Sequence, residues 1–279
     1  MHFPLFILPC DHRNGLAKDV LNTTYPFSPS NLVKAKELKQ MVLEAILAVR
    51  QDYTGTGTLA CLFDEETGLE AIMAAEHANL PVAISMEKSG TSTLELIHGD
   101  QYATHLSELH PNFGKLLVNY QLSRIEENAK QRQIIKQVSD ACEAQGIPLM
   151  LEILLHEPSG HTPADMLKVF AEMHADGIKV GVWKIEGFDQ TEDWLAVAPQ
   201  AKAPMIVLGR GQNATAVATW VQAAAKSGVV DGFAIGRTIF QDALTAYAQK
   251  TLSRPDAIQS ISNRYRGFIH LWESNSLRT

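Results

Sequence analysis

Cysteine is scarce in this chain. Cys10, Cys61 and Cys142 are odd in number and far apart among 279 residues, which gives no basis for a disulfide framework. All three lie in apolar segments and are expected to be buried, reduced thiols of a cytoplasmic protein. Basic residues are also in deficit. Lys and Arg number 24 against 31 Asp and Glu, for a formal net charge of −7. There is no basic tract, so a nucleic-acid partner is not expected, and an anionic ligand would need a local positive pocket. No apolar run is long enough to span a membrane, and the one in MHFPLFILPCDHR is too short for the core of a signal peptide. These absences again point to the cytoplasm, with no membrane partner. The ten histidines form no HxH or HExxH pair, so no metal is expected, and His77, His98 and His174 read as lone surface or helix residues. No GxGxxG follows the first apolar run, and GTGTLA reads as a loop entering the second, so no cofactor is expected. Nor does any linker or composition shift divide residues 1–279, which read as one domain.

What the chain does have is alternation. Eight short apolar runs recur: FILPCD (6–11), TLACLFD (58–64), PVAISME (81–87), GKLLVNY (114–120), PLMLEILL (148–155), VGVWKIEG (180–187), PMIVLGR (204–210) and GFAIGRTIF (232–240). Bounded by Gly and Pro, they read as buried parallel strands. Amphipathic stretches separate them, among them residues 31–50, 68–79, 124–146, 162–177 and 213–228, several ending in glycine. The segment 254–274 reads as a closing helix. Eight such units in this length predict a single (β/α)8 TIM barrel, with a doubly wound open sheet as the rival.

In such a barrel the functional face lies at the C-terminal ends of the strands, and polar residues cluster there: Asp11-His12-Arg13, Asp64-Glu65-Glu66, Glu87-Lys88, Glu152 with His156 beyond it, Gly209-Arg210-Gly211 and Gly236-Arg237-Thr238. The two-residue period of a strand puts Val182, Lys184 and Glu186 on one face and Trp183 and Ile185 on the other. Lys184 then points into the barrel, either as a desolvated amine able to attack a carbonyl or as the ion-pair partner of Glu186 or another carboxylate. Glu152 shares a face with Met150 and Leu154 on the preceding strand, where it can shuttle protons or simply pair with a barrel lysine. Lys115 is a second inward amine that could depress the pKa of Lys184, or a surface lysine at a strand's start. Asp11 is a candidate base or hydroxyl ligand, or a brace for its loop. Gly209, Arg210, Gly211, Gly236 and Arg237 have the makings of a phosphate grip, since glycine admits close backbone approach and arginine adds charged donors. His12, Arg13, Lys88 and Arg210 are candidates for a second anion.

In order along the chain, DHR, LFDEETG, MEKSG, KLLVNY, LMLEIL, WKIE and GFAIGRTIF resemble class I aldolases related to tagatose-1,6-bisphosphate aldolase. The half from KLLVNY to the terminal IHLWE is more similar still to the 5-dehydro-2-deoxy-6-phosphogluconate aldolase domain of inositol-catabolism proteins, which is often fused to a sugar kinase. No kinase domain is present here, and DHR stands where tagatose-type enzymes read DQR. The resemblance implies a metal-independent lyase that holds a ketose phosphate as an imine on Lys184, with Glu152 as acid and base, Lys115 in support, and Gly236 and Arg237 on the phosphate. The expected ligand is a small-molecule sugar phosphate, and a homo-oligomer is compatible with the sequence. Tagatose bisphosphate, a sulfo-sugar phosphate, a transaldolase reaction and a non-catalytic sugar-phosphate sensor are the alternatives.

Overall fold

The computed structural model describes residues 4–158 and 160–277, and the expected unit of 1–279 extends beyond these limits. Its strands are β1 (Leu5–Pro9), β2 (Thr58–Asp64), β3 (Val82–Ser85), β4 (Phe113–Tyr120), β5 (Leu149–Leu155), β6 (Val182–Glu186), β7 (Met205–Leu208) and β8 (Gly232–Ala234). They pair in parallel and in chain order, and β8 returns to β1 to close a barrel, as the alternation predicts. The helices are α1 (Pro29–Arg50), α2 (Glu65–His77), α3 (Tyr102–Leu109), α4 (Ile125–Gln145), α5 (Pro163–Ala175), α6 (Thr191–Ala201), α7 (Ala214–Ser227), α8 (Arg237–Ala248) and α9 (Arg254–Glu273).

Local chemistry sets many of the boundaries. Ser28, Thr162 and Ser253 each accept a backbone N–H in the first turn of α1, α5 and α9, with a proline at the first or second helical position. At the other end, α4 and α7 stop at Gly146 and Gly228, whose φ values of +69° and +66° suit glycine. Asp64 caps α2 by accepting the Thr67 N–H at 2.9 Å, and it forms a fully buried ion pair with Lys39 of α1. This aspartate at a strand end therefore holds the frame together.

Two apolar layers result from strand alternation. Leu151, Ile153, Trp183 and Ile185 face the helices, where Trp183 packs on Phe170 at 4.6 Å and donates its indole N–H to Ala201 O at 2.8 Å. Full burial of each such side chain contributes about 1.5–3 kcal/mol. The opposite faces supply Leu5, Ile7, Ala60, Leu62, Ala83, Phe113, Met150, Val182, Ile206 and Ala234, which fill the inside of the barrel. α9 covers the outside against α1, α7 and α8.

The eighth apolar run is not one strand. β8 ends at Ala234, and α8 begins at Arg237 after Gly236 turns the backbone to φ −106°, ψ −85°. A Cβ at Gly236 would stand 2.5 Å from the Pro9 carbonyl oxygen, so the close approach requires glycine. Three helices carry no pattern that stands out in sequence. α3 has eight residues, α6 contains Pro199, and α8 starts inside an apolar run where strand and helix look alike.

Candidate active site

Registration of β5 against β6 sets Glu152 beside Lys184, and both side chains point into the barrel above the apolar filling. Lys184 Nζ donates to Glu152 Oε2 at 2.7 Å, and only 3% of the lysine is exposed. The same carboxylate oxygen lies 3.0 Å from Lys115 Nζ, which reaches across from β4. Lys115 also donates to Asp11 Oδ2 and to Glu87 Oε1, each at 2.7 Å, and is fully buried. Three carboxylates thus surround two ammonium groups. Charges taken out of water are tolerated here because each lies against an opposite one.

This arrangement puts Lys115 inside the barrel, the inward one of its two expected placements. Burial pushes its pKa down, but Asp11, Glu152 and Glu87 outweigh burial and hold it well above the usual lysine range. Lys115 is a fixed cation and not a surface lysine, and Glu152 stands between it and Lys184. Burial raises the Asp11 and Glu152 carboxyls, yet the lysines prevail and hold both below their ordinary values, most strongly Asp11. Glu87 goes the other way. Burial raises it, Asp11 adds to the rise, and Lys115 offsets only part. Its Oε2 is buried without a hydrogen-bond partner. In the sequence Glu87 stands at a strand end beside the expected candidate Lys88, and continuing the inward alternation Ala83, Ser85, Glu87 singles it out.

Asp11, Arg13, Glu87, Lys88, Asn119 and Glu152 line part of a cavity of about 150 Å³ at the barrel mouth. Arg13 is buried and donates to the Glu87 carbonyl at 2.7 Å, while its Nε has no partner. Lys88 is half-exposed and pairs with Glu95 at 3.0 Å. His12 sits between Asp11, 3.9 Å away, and Phe240 of α8. Burial holds its imidazole down to about 4, with Arg237 adding to the shift and Asp11 opposing it, so His12 is neutral near pH 7.

The loops after β7 and β8 meet one another. Gly211 has φ +72°, and a Cβ there would lie 2.5 Å from the Arg237 guanidinium carbon. Thr238 Oγ1 donates to the Gln212 carbonyl at 3.1 Å. Arg237 opens α8, whose first N–H groups have no partner within the helix, and its own Nε is buried and unpaired. Gly211 and Arg237 line an open groove of about 740 Å³ that continues to Arg264 and Phe268 of α9, rather than the Asp11–Glu152 cavity. Gly209 adjoins Ile235 and Thr238 without a close contact that demands glycine. Arg210 is drawn off to Glu186, which also accepts the Leu155 N–H at 3.0 Å, so Arg210 is already paired and Lys184 is left to Glu152.

One further group escaped sequence reading. Among the described residues, Glu65, His98 and His105 bring a ligand atom each to within 4.8 Å of one another. His98 is therefore not the lone residue expected. Separations of 33 and 7 positions give no local motif that could have announced the cluster.

The family described as "Uncharacterized protein conserved in bacteria (DUF2090)" matches residues 3–276. "Tagatose 1,6-diphosphate aldolase 1" of Streptococcus mutans is 26% identical over 281 residues, covering 87% of this chain and 82% of that protein. Among solved structures, fructose-bisphosphate aldolase from Plasmodium falciparum, crystallised with TRAP and a small-molecule inhibitor, superposes with a TM-score of 0.72 at 12% identity. That match covers all of this chain and 93% of the other. A Corynebacterium glutamicum protein superposes at 0.59 and 17% identity, over 94% and 85% of the two chains. The likeness to these solved structures is one of fold, a closed (β/α)8 barrel.

Proposed function

The chain belongs to the DUF2090 family, and from the charged set inside its barrel we propose that it is a class I aldolase, a carbon–carbon lyase acting on a phosphorylated keto-sugar or keto-sugar acid. The observation that carries this reading is Lys184, buried in the barrel with Glu152 Oε2 at 2.7 Å. A binding barrel needs no such amine and carboxylate pair, whereas imine formation needs both.

Glu152 takes a proton from the Lys184 ammonium, freeing the amine to attack the substrate ketone. The same group returns a proton to the carbinolamine oxygen, so water leaves and an iminium forms. Asp11 accepts the proton of the hydroxyl on the carbon β to the ketone, the bond between the α and β carbons breaks, and its electron pair moves into the iminium to give an enamine while the β carbon departs as an aldehyde. Protonation of the α carbon and hydrolysis of the imine release dihydroxyacetone phosphate and restore Lys184. Lys115 keeps Asp11, Glu152 and Glu87 in place throughout. Arg237 and the backbone around Gly211 and Gly236 hold the phosphate, with part of the long groove as entry.

For the substrate we favour 5-dehydro-2-deoxy-6-phosphogluconate, whose second product is malonate semialdehyde. The unpaired Nε of buried Arg13, which lines the Asp11–Glu152 cavity and not the groove of Arg237, suits the carboxylate of such a sugar acid. Tagatose bisphosphate is the second candidate, because the 26%-identical relative carries that activity in its name. Borohydride reduction with dihydroxyacetone phosphate should leave a three-carbon phosphate adduct on Lys184, and intact-mass and peptide analysis reads it. No adduct, or one on another lysine, overturns the mechanism. A substrate panel with coupled detection of dihydroxyacetone phosphate then ranks the two sugars.

A further inference from the structure

We propose that Glu65, His98 and His105 form a binding site for a divalent transition-metal ion of the zinc class, outside the barrel at the corner between β2 and β3. Glu65 is the first residue of α2, fixed there by the Asp64 cap. His98 ends the connection from β3, just before a single 3-10 turn, and His105 lies in α3 seven positions later, two helical turns on. The fold thus delivers three separate segments to one point.

The donor atoms lie close enough to converge on one ion. His98 Nε2 is 3.0 Å from Glu65 Oε1, His105 Nδ1 is 3.5 Å from Glu65 Oε2, and one ligand atom from each of the three residues lies within 4.8 Å of the others. A tetrahedral ion with bonds of about 2.0–2.1 Å needs donors about 3.3 Å apart, which small side-chain rotations from these positions can reach. Two imidazoles and a carboxylate are a donor set that zinc accepts. The two rings lie parallel, with centroids 3.5 Å apart and planes within 7°. Stacked in this way, two protonated rings would repel, whereas neutral rings offer lone pairs to a dication. To aim both lone pairs at one point the rings must fan apart, and exposures of 25% and 34% leave them free to rotate. The same partial exposure admits the ion and a water as fourth ligand.

Such an ion would act on the barrel mouth from outside. The connection from Met86 to Ile97 carries Glu87, Lys88, Thr93 and Leu94 into the cavity lining and ends beside His98. Binding would staple the far end of that wall to α2. The site uses none of the groups assigned to imine chemistry, so its test stands apart from that of the proposed activity.

The experiment is a competition titration. Tag-free protein, stripped with a chelator, is titrated with Zn2+ against a chromophoric chelator, and Co2+ is added in parallel to read its visible ligand-field bands. One ion per chain is expected, with Co2+ bands of a four-coordinate species. His98→Ala and His105→Ala should each weaken Zn2+ binding at least about tenfold and abolish those bands. Glu65→Gln should also weaken it, and His77→Ala on α2 should leave it unchanged. His98→Gln keeps a polar side chain of similar size, so a loss in that variant with a wild-type circular dichroism spectrum is a loss of ligand. The site is refuted by an absence of stoichiometric binding, or by binding that survives all three substitutions in the cluster.

Discussion

Around Lys115 and Lys184 at the barrel mouth almost every charged tip already has a partner, whereas at Arg237 and the glycines after β7 and β8 the polar groups wait for one. Lys184, Glu152, Lys115, Asp11 and Glu87 form a continuous set of contacts at 2.7–3.0 Å. Across the mouth, Gly211, Gly236 and Arg237 offer a folded-back loop, a helix start and an unpaired Nε. The first wall holds its charges in fixed geometry before any ligand arrives, as proton transfer requires. The second presents donors whose partner is external, as recognition of an anion requires. Reaction and grip are thus divided between strands, and substitutions on the two walls should fail in different ways.

The largest expected effect is at Lys184. Lys184→Ala should lose turnover by a factor on the order of 10⁴ or more, since the covalent route disappears, and it should stay folded because Glu152 retains Lys115. Coupled detection of dihydroxyacetone phosphate measures the rate, and a near-normal rate would place the chemistry elsewhere. Lys115 should break the fold rather than a single step. Lys115→Met leaves the buried Asp11 and Glu87 carboxylates without their cation, at a cost of about 3–5 kcal/mol in urea unfolding. Adding Glu87→Gln should recover part of the loss, and a double variant no better than the single would show that the pair are not coupled.

Arg237 should affect binding alone. Arg237→Ala is expected to lower kcat/KM for the phosphorylated substrate by about one to two decades, corresponding to roughly 1.5–3 kcal/mol for a charge-assisted contact. With a dephosphorylated analogue the loss should vanish, and lysine should restore only part of it. Equal losses on both substrates would make Arg237 a brace of the barrel. The smallest effect belongs to His12, which lies between the walls. Its folded pKa of about 4 is below the ordinary 6.5, so between these values the unfolded chain binds the extra proton and stability falls as pH falls. From pH 7 to pH 5, wild type should lose under about 2 kcal/mol more than His12→Asn in urea titrations. An identical drop in the two proteins would remove His12 as the cause.

The barrel and its first wall were legible because both follow from a period. Alternation within single strands places Lys184 and Glu152 inside, and the eight apolar runs give the strands, with TLACLFD coinciding with β2. Glu87 was within reach of the same rule. Other features depend on partners that sequence does not specify. Arg210 follows Gly209 at the end of an apolar run and looked like part of the grip, yet it turns back to Glu186. Lys115 reads from its strand as an inward amine or a surface lysine, and the three carboxylates from β1, β3 and β5 that converge on it are set by tertiary contact alone. The Glu65 cluster joins the first residue of α2 to the segment of His98 and His105 beyond β3, and no spacing rule covers a contact across that distance in sequence.

The apolar filling beneath the charged layer has a consequence for traffic. Leu5, Leu62, Phe113, Met150 and Ile206 close the lower end of the barrel, so nothing passes through the floor. Under the proposed chemistry, the departing aldehyde and the water that hydrolyses the enamine-derived imine must share one doorway. Water reaches Lys184 readily only after the aldehyde has left. A second aldehyde that enters during that interval meets a live carbon nucleophile, and the closed floor thereby makes transfer to an acceptor compete with release.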